Sequence, residues 1–522
     1  MARASGRSAA LVGAGIFLSR ISGLVRQRVS SHYLGLFDEA DALAASFRIP
    51  NLLQNLFGES MLSASFIPVY ARLVGQGDSD RAGKVAGAVL GLLATLVSLV
   101  VLAGVTATPL VVDLLAPGFD GHKRLLTITL VRILFPSTAL LVFSAWCLAV
   151  LNSHGKFFLS YAAPVVWNAA IIAVTLVAAG GHSRTELVVW MAWGAVLGSA
   201  LQVLVQLPTV IGVLKGFRLA VRTTTPEVRT VVKNFWPALM SRGANQISGY
   251  VDGVIASLLG RGALAAVNNA QMLNTLPVSL FGMAVSASEL TAMSAAPGEG
   301  EARHAVLRQR LTDGSHRIAY FVVPCSVGFL ALGQVIAGAI FQTGRFTEAD
   351  SRYVWAILAG SAVGLLASTL SRLSASAFFA LGDTRTPLRF AVLRVSLSMA
   401  LGALSALVLP PMLGLDRRWG AVALTASTGF SGWVEYALLR RRLAGVIGPT
   451  RFEPLYLAKL YVAALLAAGA GWTVLLLLEG RHGPLVTAAA SLTPFAALYG
   501  AVTLAFGIPT ARVIAAQVRR RG

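Results

Sequence analysis

Fourteen apolar stretches, each near or above the length that crosses a bilayer, decide most of what this chain can become. They are readable at about residues 8–27, 33–70, 84–112, 125–151, 158–180, 186–212, 234–259, 263–294, 318–341, 353–381, 388–410, 419–440, 456–478 and 485–507. A helix needs about 20 such residues to span a hydrocarbon core roughly 30 Å thick. No water satisfies the backbone inside that core, so only helices and closed barrels cross it. A barrel would show short alternating segments rather than continuous runs. The expected fold is an all-α polytopic membrane protein with about fourteen transmembrane helices. Composition agrees: 56% of residues are hydrophobic and 12% charged, about half the charge of a soluble domain.

Charge placement orients the chain. The net charge is +21, which in a soluble protein would point to nucleic acid. Here the basic residues gather in alternate connections: Arg72, Arg81 and Lys84, then Lys156, 215–233, 303–317, Arg385 and Arg389, 440–442, and the tail 512–521. That is the pattern of cytoplasmic loops. It argues against a nucleic-acid partner and predicts both termini in the cytoplasm, with 116–124, 180–186, 343–352 and 414–418 outside. The start of the chain, with Arg3 and Arg7 ahead of an apolar run, mimics a signal peptide. Arg20 interrupts that run and no small-residue cleavage site follows, so it reads as an uncleaved first helix.

Enzyme chemistry finds no footing. Cys147 and Cys325 both lie in apolar segments and make neither a disulfide framework nor a metal site. The seven histidines are scattered without ligand spacing. No Walker A, HExxH or GxSxG pattern occurs. The expectation is a protein with no catalytic residues and no cofactor, driven by gradients or by its substrate.

A weak internal repeat organises the spans. Ser19-Arg20 recurs as Ser241-Arg242, and Leu56-Phe57-Gly58 as Leu280-Phe281-Gly282. Small-residue runs follow both copies of the second motif, at 63–65 and 286–288. The offset of about 222–224 residues covers six helices. Six is even, so the halves are parallel repeats about an axis along the membrane normal. This predicts two six-helix pseudo-repeated lobes plus two C-terminal helices. Residues 1–213 form the N-terminal lobe, 214–233 a cytoplasmic linker, 234–442 the C-terminal lobe, and 443–522 two further helices and a basic tail. A cavity is expected between the lobes. The linker 214–233 is basic and partly amphipathic and should lie on the inner surface.

Residues 17–72 carry charges that lipid would not tolerate: Arg20, Arg26, Arg28, Asp41, Arg48 and Glu59. Each costs roughly 2.5–3.5 kcal/mol at a bilayer centre even on the lenient scale. At 100° per residue, Ser19, Gly23, Arg26 and Ser30 share one stripe. Asp41, Arg48, Asn55 and Glu59 share another if the helix passes Pro50 without a large rotation. The charges either pair with one another or line a cationic cavity inside a bundle.

These same residues carry a resemblance. SRISGLVR (19–26), ADALAASFRIPNLLQNLFGE (40–59) and SFIPVYA (65–71) resemble the signature of the MurJ (MviN) family. Its members are lipid II flippases of the multidrug/oligosaccharidyl-lipid/polysaccharide exporter superfamily. Further matches come in order along the chain: Ala116-Pro117-Gly118-Phe119, Leu151-Asn152 with Lys156-Phe157, Ala163-Pro164 with Asn168, 341–347, and 382–387. The resemblance implies fourteen helices in two lobes forming a V. It also implies alternating-access transport of lipid II, a polyprenyl-diphosphate-linked glycan lipid, between the leaflets of a bacterial cytoplasmic membrane. Partners would be that substrate, membrane lipids and cell-wall synthesis proteins. By motif matching, Arg20, Arg26, Asp41, Asn51 and Glu59 align with functional positions of the family, and Arg48 with a basic one.

The departures from that pattern are specific. Gln27 stands where the family has an acidic residue, and Gln54 and Met272 where it has arginines. Arg242, Arg372 or Arg394 would have to compensate, or the substrate or the activity differs. Asp252 is similar to an acidic sodium ligand of some members, but Ser398 and Gly402 are poor replacements for its partners. Pairing of Asp252 with an arginine such as Arg242 or Arg394 is the simpler expectation. Three functions are compatible with the sequence: a lipid II flippase, an exporter of another polyprenyl-diphosphate-linked glycan, or a transport-deficient envelope scaffold. A multidrug antiporter fits less well, because a cationic cavity repels cationic drugs.

Overall fold

The structure is a computed structural model that describes residues 2–220, 225–298, 300–450, 453–478 and 482–519; for 2–13, 16, 59–60, 236–248 and 518–519 it describes the backbone alone. Every regular element among the described residues is helical. The chain divides into two compact units, Met1–Leu258 and Leu259–Gly522.

The first unit holds α1 (Ala2–Leu34), α2 (Asp38–Phe57), α3 (Glu59–Ser65), α4 (Ile67–Gly75), α5 (Ser79–Thr106), α6 (Thr108–Leu115), α7 (Gly121–Ser153), α8 (Phe157–Ala178), α9 (Arg184–Val213) and α10 (Pro226–Ser257). Starts and stops obey local chemistry. Gly35 at φ +57° turns the chain between α1 and α2, a conformation that a Cβ disfavours. Asp78 caps α5 by accepting from the Arg81 N–H at 3.1 Å. Ser183 and Glu186 close a reciprocal capping box at the start of α9. α7 is buried along most of its length and packs against α2, α5 and α9. Small residues let neighbours approach: a Cβ on Gly198 of α9 would lie 2.8 Å from the Trp167 carbonyl of α8.

The 214–233 connection is laid against α5. A Cβ on Gly83 or Gly87 would run into the backbone of Lys215 or Arg218. Arg81 pairs with Glu227 at 2.7 Å, and Trp146 meets Phe217 at 6.2 Å between ring centres. Residues from Pro226 onward already belong to α10, which packs on α2 and α3. Compactness therefore divides the chain after α10, whereas the sequence repeat divides it before.

The second unit holds α11 (Ala263–Pro277), a π-helical turn (Val278–Met283), α12 (Ala284–Ser294), α13 (Gly300–Phe341), α14 (Glu348–Ala362), α15 (Leu365–Ala380), α16 (Arg385–Met412), α17 (Gly420–Ile447), α18 (Pro454–Leu478), α19 (Pro484–Ala505) and α20 (Pro509–Arg519). α13 is its axis, packing on α14, α15, α18 and α19. Tyr499 of α19 donates to the Tyr320 carbonyl at 2.7 Å, and Tyr456 of α18 to the His316 carbonyl at 3.1 Å, so the C-terminal hairpin is pinned to α13. Thr347 and Asp350 box the start of α14. Asp383 accepts from the backbone N–H of Arg385 and Thr386 at the start of α16; the Thr386 side chain first, then these backbone bonds, hold its carboxyl below the usual range.

Helices occupy all fourteen apolar segments. Among the described residues, nine are long and apolar enough to cross a membrane: α5, α7, α8, α9, α11 through α12, α13, α16, α18 and α19; the pair α14 and α15, bent by 40°, makes a tenth. The other four, α1, α2, α10 and α17, are 20 residues or longer but carry charges along their length.

Candidate functional site

Arg26 is delivered by α1 to a place where, among the described residues, no countercharge meets it. α1 runs along α8, where a Cβ on Gly15 would come within 2.8 Å of the Tyr161 Cβ. The guanidinium carbon of Arg26 lies 5.0 Å from the centre of the Trp167 ring and 5.5 Å from that of Phe47. The two rings meet edge to face at 5.9 Å. Trp167 is fixed by donating its Nε1–H to the Ala195 carbonyl of α9 at 3.0 Å. Aromatic faces hold a cation by their quadrupole, contributing about 0.5–2 kcal/mol, and they leave its hydrogen-bonding edges unused. Arg26 Nε is buried and, among the described residues, has no hydrogen-bond partner.

Asn168, next to Trp167, completes this place. Its Nδ2 donates to Ser22 Oγ at 2.9 Å, and Ser22 donates to the Ser19 carbonyl at 2.9 Å. The Asn168 Oδ1 is buried and, among the described residues, without a partner. Ser22 and Arg26 are one helical turn apart, so both sit on one face of α1. A buried donor and a buried acceptor thus stand unsatisfied together, a costly arrangement for a finished interior at about 1–3 kcal/mol each.

The second helix distributes its charges differently. Asp41 is fully buried, and Lys123 of α7 reaches its Oδ2 at 2.6 Å while also pairing with Asp38 at 3.2 Å. The Lys123 ammonium lies 4.2 Å from the Phe119 ring centre. Glu39 pairs with Arg184 at 3.7 Å, whose guanidinium covers Phe37. This end of the first unit is therefore neutralised. Arg20 and Asn51 are exposed on α1 and α2. α2 passes through Pro50 and ends at Phe57; Gly58 breaks it, and Glu59 opens α3 with its side chain outside the described residues. The expected stripe through Asp41, Arg48, Asn55 and Glu59 does not share one environment: Asp41 is buried, Arg48 half-buried and Asn55 exposed.

Arg48 joins α2 to α10. Its Nη1 donates to the Gly249 carbonyl at 3.4 Å, and Tyr250 donates its hydroxyl to the Arg48 carbonyl at 2.9 Å. The guanidinium lies where a Cβ on Gly253 would be. Asp252, buried, is within electrostatic reach of it. Sequence reasoning looks to Arg242 or Arg394 as the partner of Asp252. The Arg242 side chain lies outside the described residues, and Arg394 forms an ion pair with Glu435 at 3.1 Å. Arg48 is 204 positions from Asp252, and only Gly253 beside it hinted at an approaching group. Among the described residues no cluster of three or more His, Cys, Asp or Glu is placed to hold a metal ion.

The family model of the lipid II flippase MurJ matches residues 30–491 of this chain. The chain belongs to the MurJ family. A Haemophilus influenzae protein named probable lipid II flippase MurJ is 30% identical over 472 residues, covering 87% of this chain and 90% of its own. The Burkholderia cenocepacia lipid II flippase MurJ is 29% identical over 502 residues, covering 92% and 93%. Among solved structures, MurJ in an inward closed conformation superposes with a TM-score of 0.78 at 20% identity, over 95% of this chain and 98% of that one. An inward-facing MATE-family multidrug transporter reaches 0.67 at 16% identity, over 81% and 95%. Those two likenesses establish a MurJ- and MATE-like fold. Within it, Arg26, Phe47, Trp167 and Asn168 form one constellation, and Arg48, Gly249, Tyr250 and Asp252 another. Phe47, Trp167 and Tyr250 were missed from sequence because an aromatic residue in an apolar helix carries no sign of what it faces.

Proposed function

We propose that this chain translocates lipid II, the polyprenyl-diphosphate-linked peptidoglycan precursor, from the inner to the outer leaflet of a bacterial cytoplasmic membrane by alternating access. The observation that carries the reading is the unsatisfied pair at Arg26 Nε and Asn168 Oδ1 in a chain of this family. A glycosyl diphosphate offers phosphate oxygens to the first and a sugar hydroxyl or amide N–H to the second. Charge-assisted bonds from arginine to phosphate are the strong kind. Arg48, already turned toward α10, is the second cation, and Arg20, Asn51, Asp41 and Glu59 take supporting roles. Of these, Asp41 acts from its buried pair with Lys123 rather than by direct contact.

Both termini are placed in the cytoplasm, from the basic residues in alternate connections. The inside-negative potential then drives the anionic headgroup outward, by about 2.3 kcal/mol per charge per 100 mV if the full field is crossed. Complementation of a bacterium depleted of its own flippase tests the whole reading. Growth restored by the unaltered chain and lost with Arg26→Ala supports it; no growth with a well-inserted chain overturns it. Gln27, Gln54 and Met272, at positions the family resemblance makes charged, favour a second reading: export of another polyprenyl-diphosphate-linked glycan. Reconstituted vesicles given each lipid separately decide between the two.

A further inference from the structure

A second charged cluster lies inside the second unit, and helix register assembles it. α14, α15 and α17 make contacts that advance together: Thr425 donates to the Ile357 carbonyl at 3.0 Å, a Cβ on Gly429 would lie 2.8 Å from the Gly364 nitrogen, and one on Gly432 would lie 3.8 Å from the Ala367 Cβ. The helices therefore run parallel, and the same register carries Arg372 to within one helical turn of Glu435. α16 runs the other way along α17, with Ser405 on Ser427 at 2.9 Å, Ser398 on Thr428 at 2.9 Å, and Arg394 on Glu435 at 3.1 Å. Two arginines and one glutamate thus share a level.

Their partners are unequal. Glu435 is committed to Arg394, and both side chains are largely covered. Arg372 is exposed. Among the described residues it has electrostatic neighbours in Arg394 and Glu435, but no hydrogen bond or ion pair of its own side chain. The cluster keeps a net charge of one positive. Arg372 lies eight residues before the end of α15 and Arg394 nine after the start of α16, about 12–14 Å along the helices from their shared loop at 381–384. An exposed guanidinium at that depth is unfavourable against lipid tails, so it marks a polar surface.

We infer that Arg372, backed by the Arg394–Glu435 pair, is an anion subsite for the phosphate end of a lipid headgroup. The inference rests on the proposed function and names a second place where the same headgroup is held. A planar guanidinium engages two phosphate oxygens at once. Glu435 fixes Arg394 and keeps the empty cluster from carrying two uncompensated charges. The subsite supplies a cationic contact in a chain that has Gln54 and Met272 where its family resemblance makes arginines expected.

The test is equilibrium binding of farnesyl diphosphate to the full chain in nanodiscs of zwitterionic lipid, with farnesol and inorganic diphosphate as comparison probes. Arg372→Ala should weaken farnesyl diphosphate at least fivefold, and Arg372→Lys should recover part of the loss. Farnesol should be indifferent to either change. Weaker but Arg372-dependent binding of inorganic diphosphate supports a phosphate site whose lipid tail adds affinity. Glu435→Gln removes the carboxylate paired with Arg394 and should tighten farnesyl diphosphate; if it instead reproduces the loss seen with Arg372→Ala, the cluster is a structural brace and the inference falls. Binding by Arg372→Ala within twofold of the unaltered chain, in a preparation where Arg26→Ala loses binding, overturns the subsite and leaves the proposed function standing. No binding of any diphosphate by the unaltered chain overturns both.

Discussion

Asp41 and Arg26 lie on adjacent helices of the same unit, and both are charges in apolar sequence, yet they end in opposite states. Asp41 is wholly buried and has Lys123 at 2.6 Å. Arg26 has two aromatic rings and an unsatisfied Nε. A buried charge with its partner built in is a finished piece of architecture. One that, among the described residues, is held by ring faces alone keeps its directional bonds for something that arrives. The cost of insertion is similar for both, so cost alone does not distinguish a structural charge from a ligand-binding one; the partner does.

Breaking the finished pair should have the largest effect. Lys123→Ala removes the ammonium 2.6 Å from the buried Asp41 carboxylate, a loss of about 3–5 kcal/mol, read as a fall in the thermal midpoint of the detergent-solubilised chain. Adding Asp41→Asn to that variant should restore most of it. A Lys123→Ala chain as stable as the parent would erase the distinction. Arg26→Ala should do the reverse: insertion and thermal midpoint stay near those of the parent, while flipping in vesicles drops tenfold to a hundredfold, the range expected for about 1.5–3 kcal/mol of charge-assisted bonding. Arg26→Lys should recover little, because an ammonium lacks the flat face that Trp167 and Phe47 receive.

Gly253→Ala sharpens the comparison from an intermediate case, since Arg48 is partly engaged. The new Cβ would take the place of the guanidinium and expel it from Gly249 and Asp252. Crowding of this kind typically costs about 1–3 kcal/mol, and a several-fold loss of flipping with a modest drop in stability is expected. Gly253→Ala together with Arg48→Ala should regain the stability and not the transport. The smallest effect belongs to Arg124, which grips Asp113 through two bonds at 2.6 and 2.8 Å on the exposed surface. Asp113→Asn should leave thermal midpoint and flipping unchanged within error, because exposed pairs contribute little.

All fourteen apolar segments were legible from hydropathy, because the bilayer leaves the backbone one solution. Arg26 was legible as a charge out of place. What it faced was not: Trp167 lies 141 positions away and looks like any apolar-helix aromatic. The Asp41–Lys123 pair was hidden for a similar reason, since Lys123 falls in a connection and counts, by sequence, as a loop charge. Helical spacing grouped Asp41 with Arg48 and Glu59, but the break at Gly58 and the burial of Asp41 separate them. Glu435 passed unnoticed because one acid near the basic run 440–442 reads as charge balance; packing brought Arg394 from another helix to meet it.

The repeated Leu-Phe-Gly motif ends a helix at Gly58 in the first unit and lies within the π-helical turn Val278–Met283 in the second. A π turn holds one residue more than the α turn it replaces. Deleting a residue from the first turn of α12 would rotate the remainder of that helix by about 100° and carry Glu289 away from Arg317, 3.2 Å off, and Arg310. Deleting one from 278–283 would instead rewind the wide turn to an ordinary one and leave the flanking helices in phase. The second unit therefore carries a spare residue in its thread, at the position where the first unit has a cut.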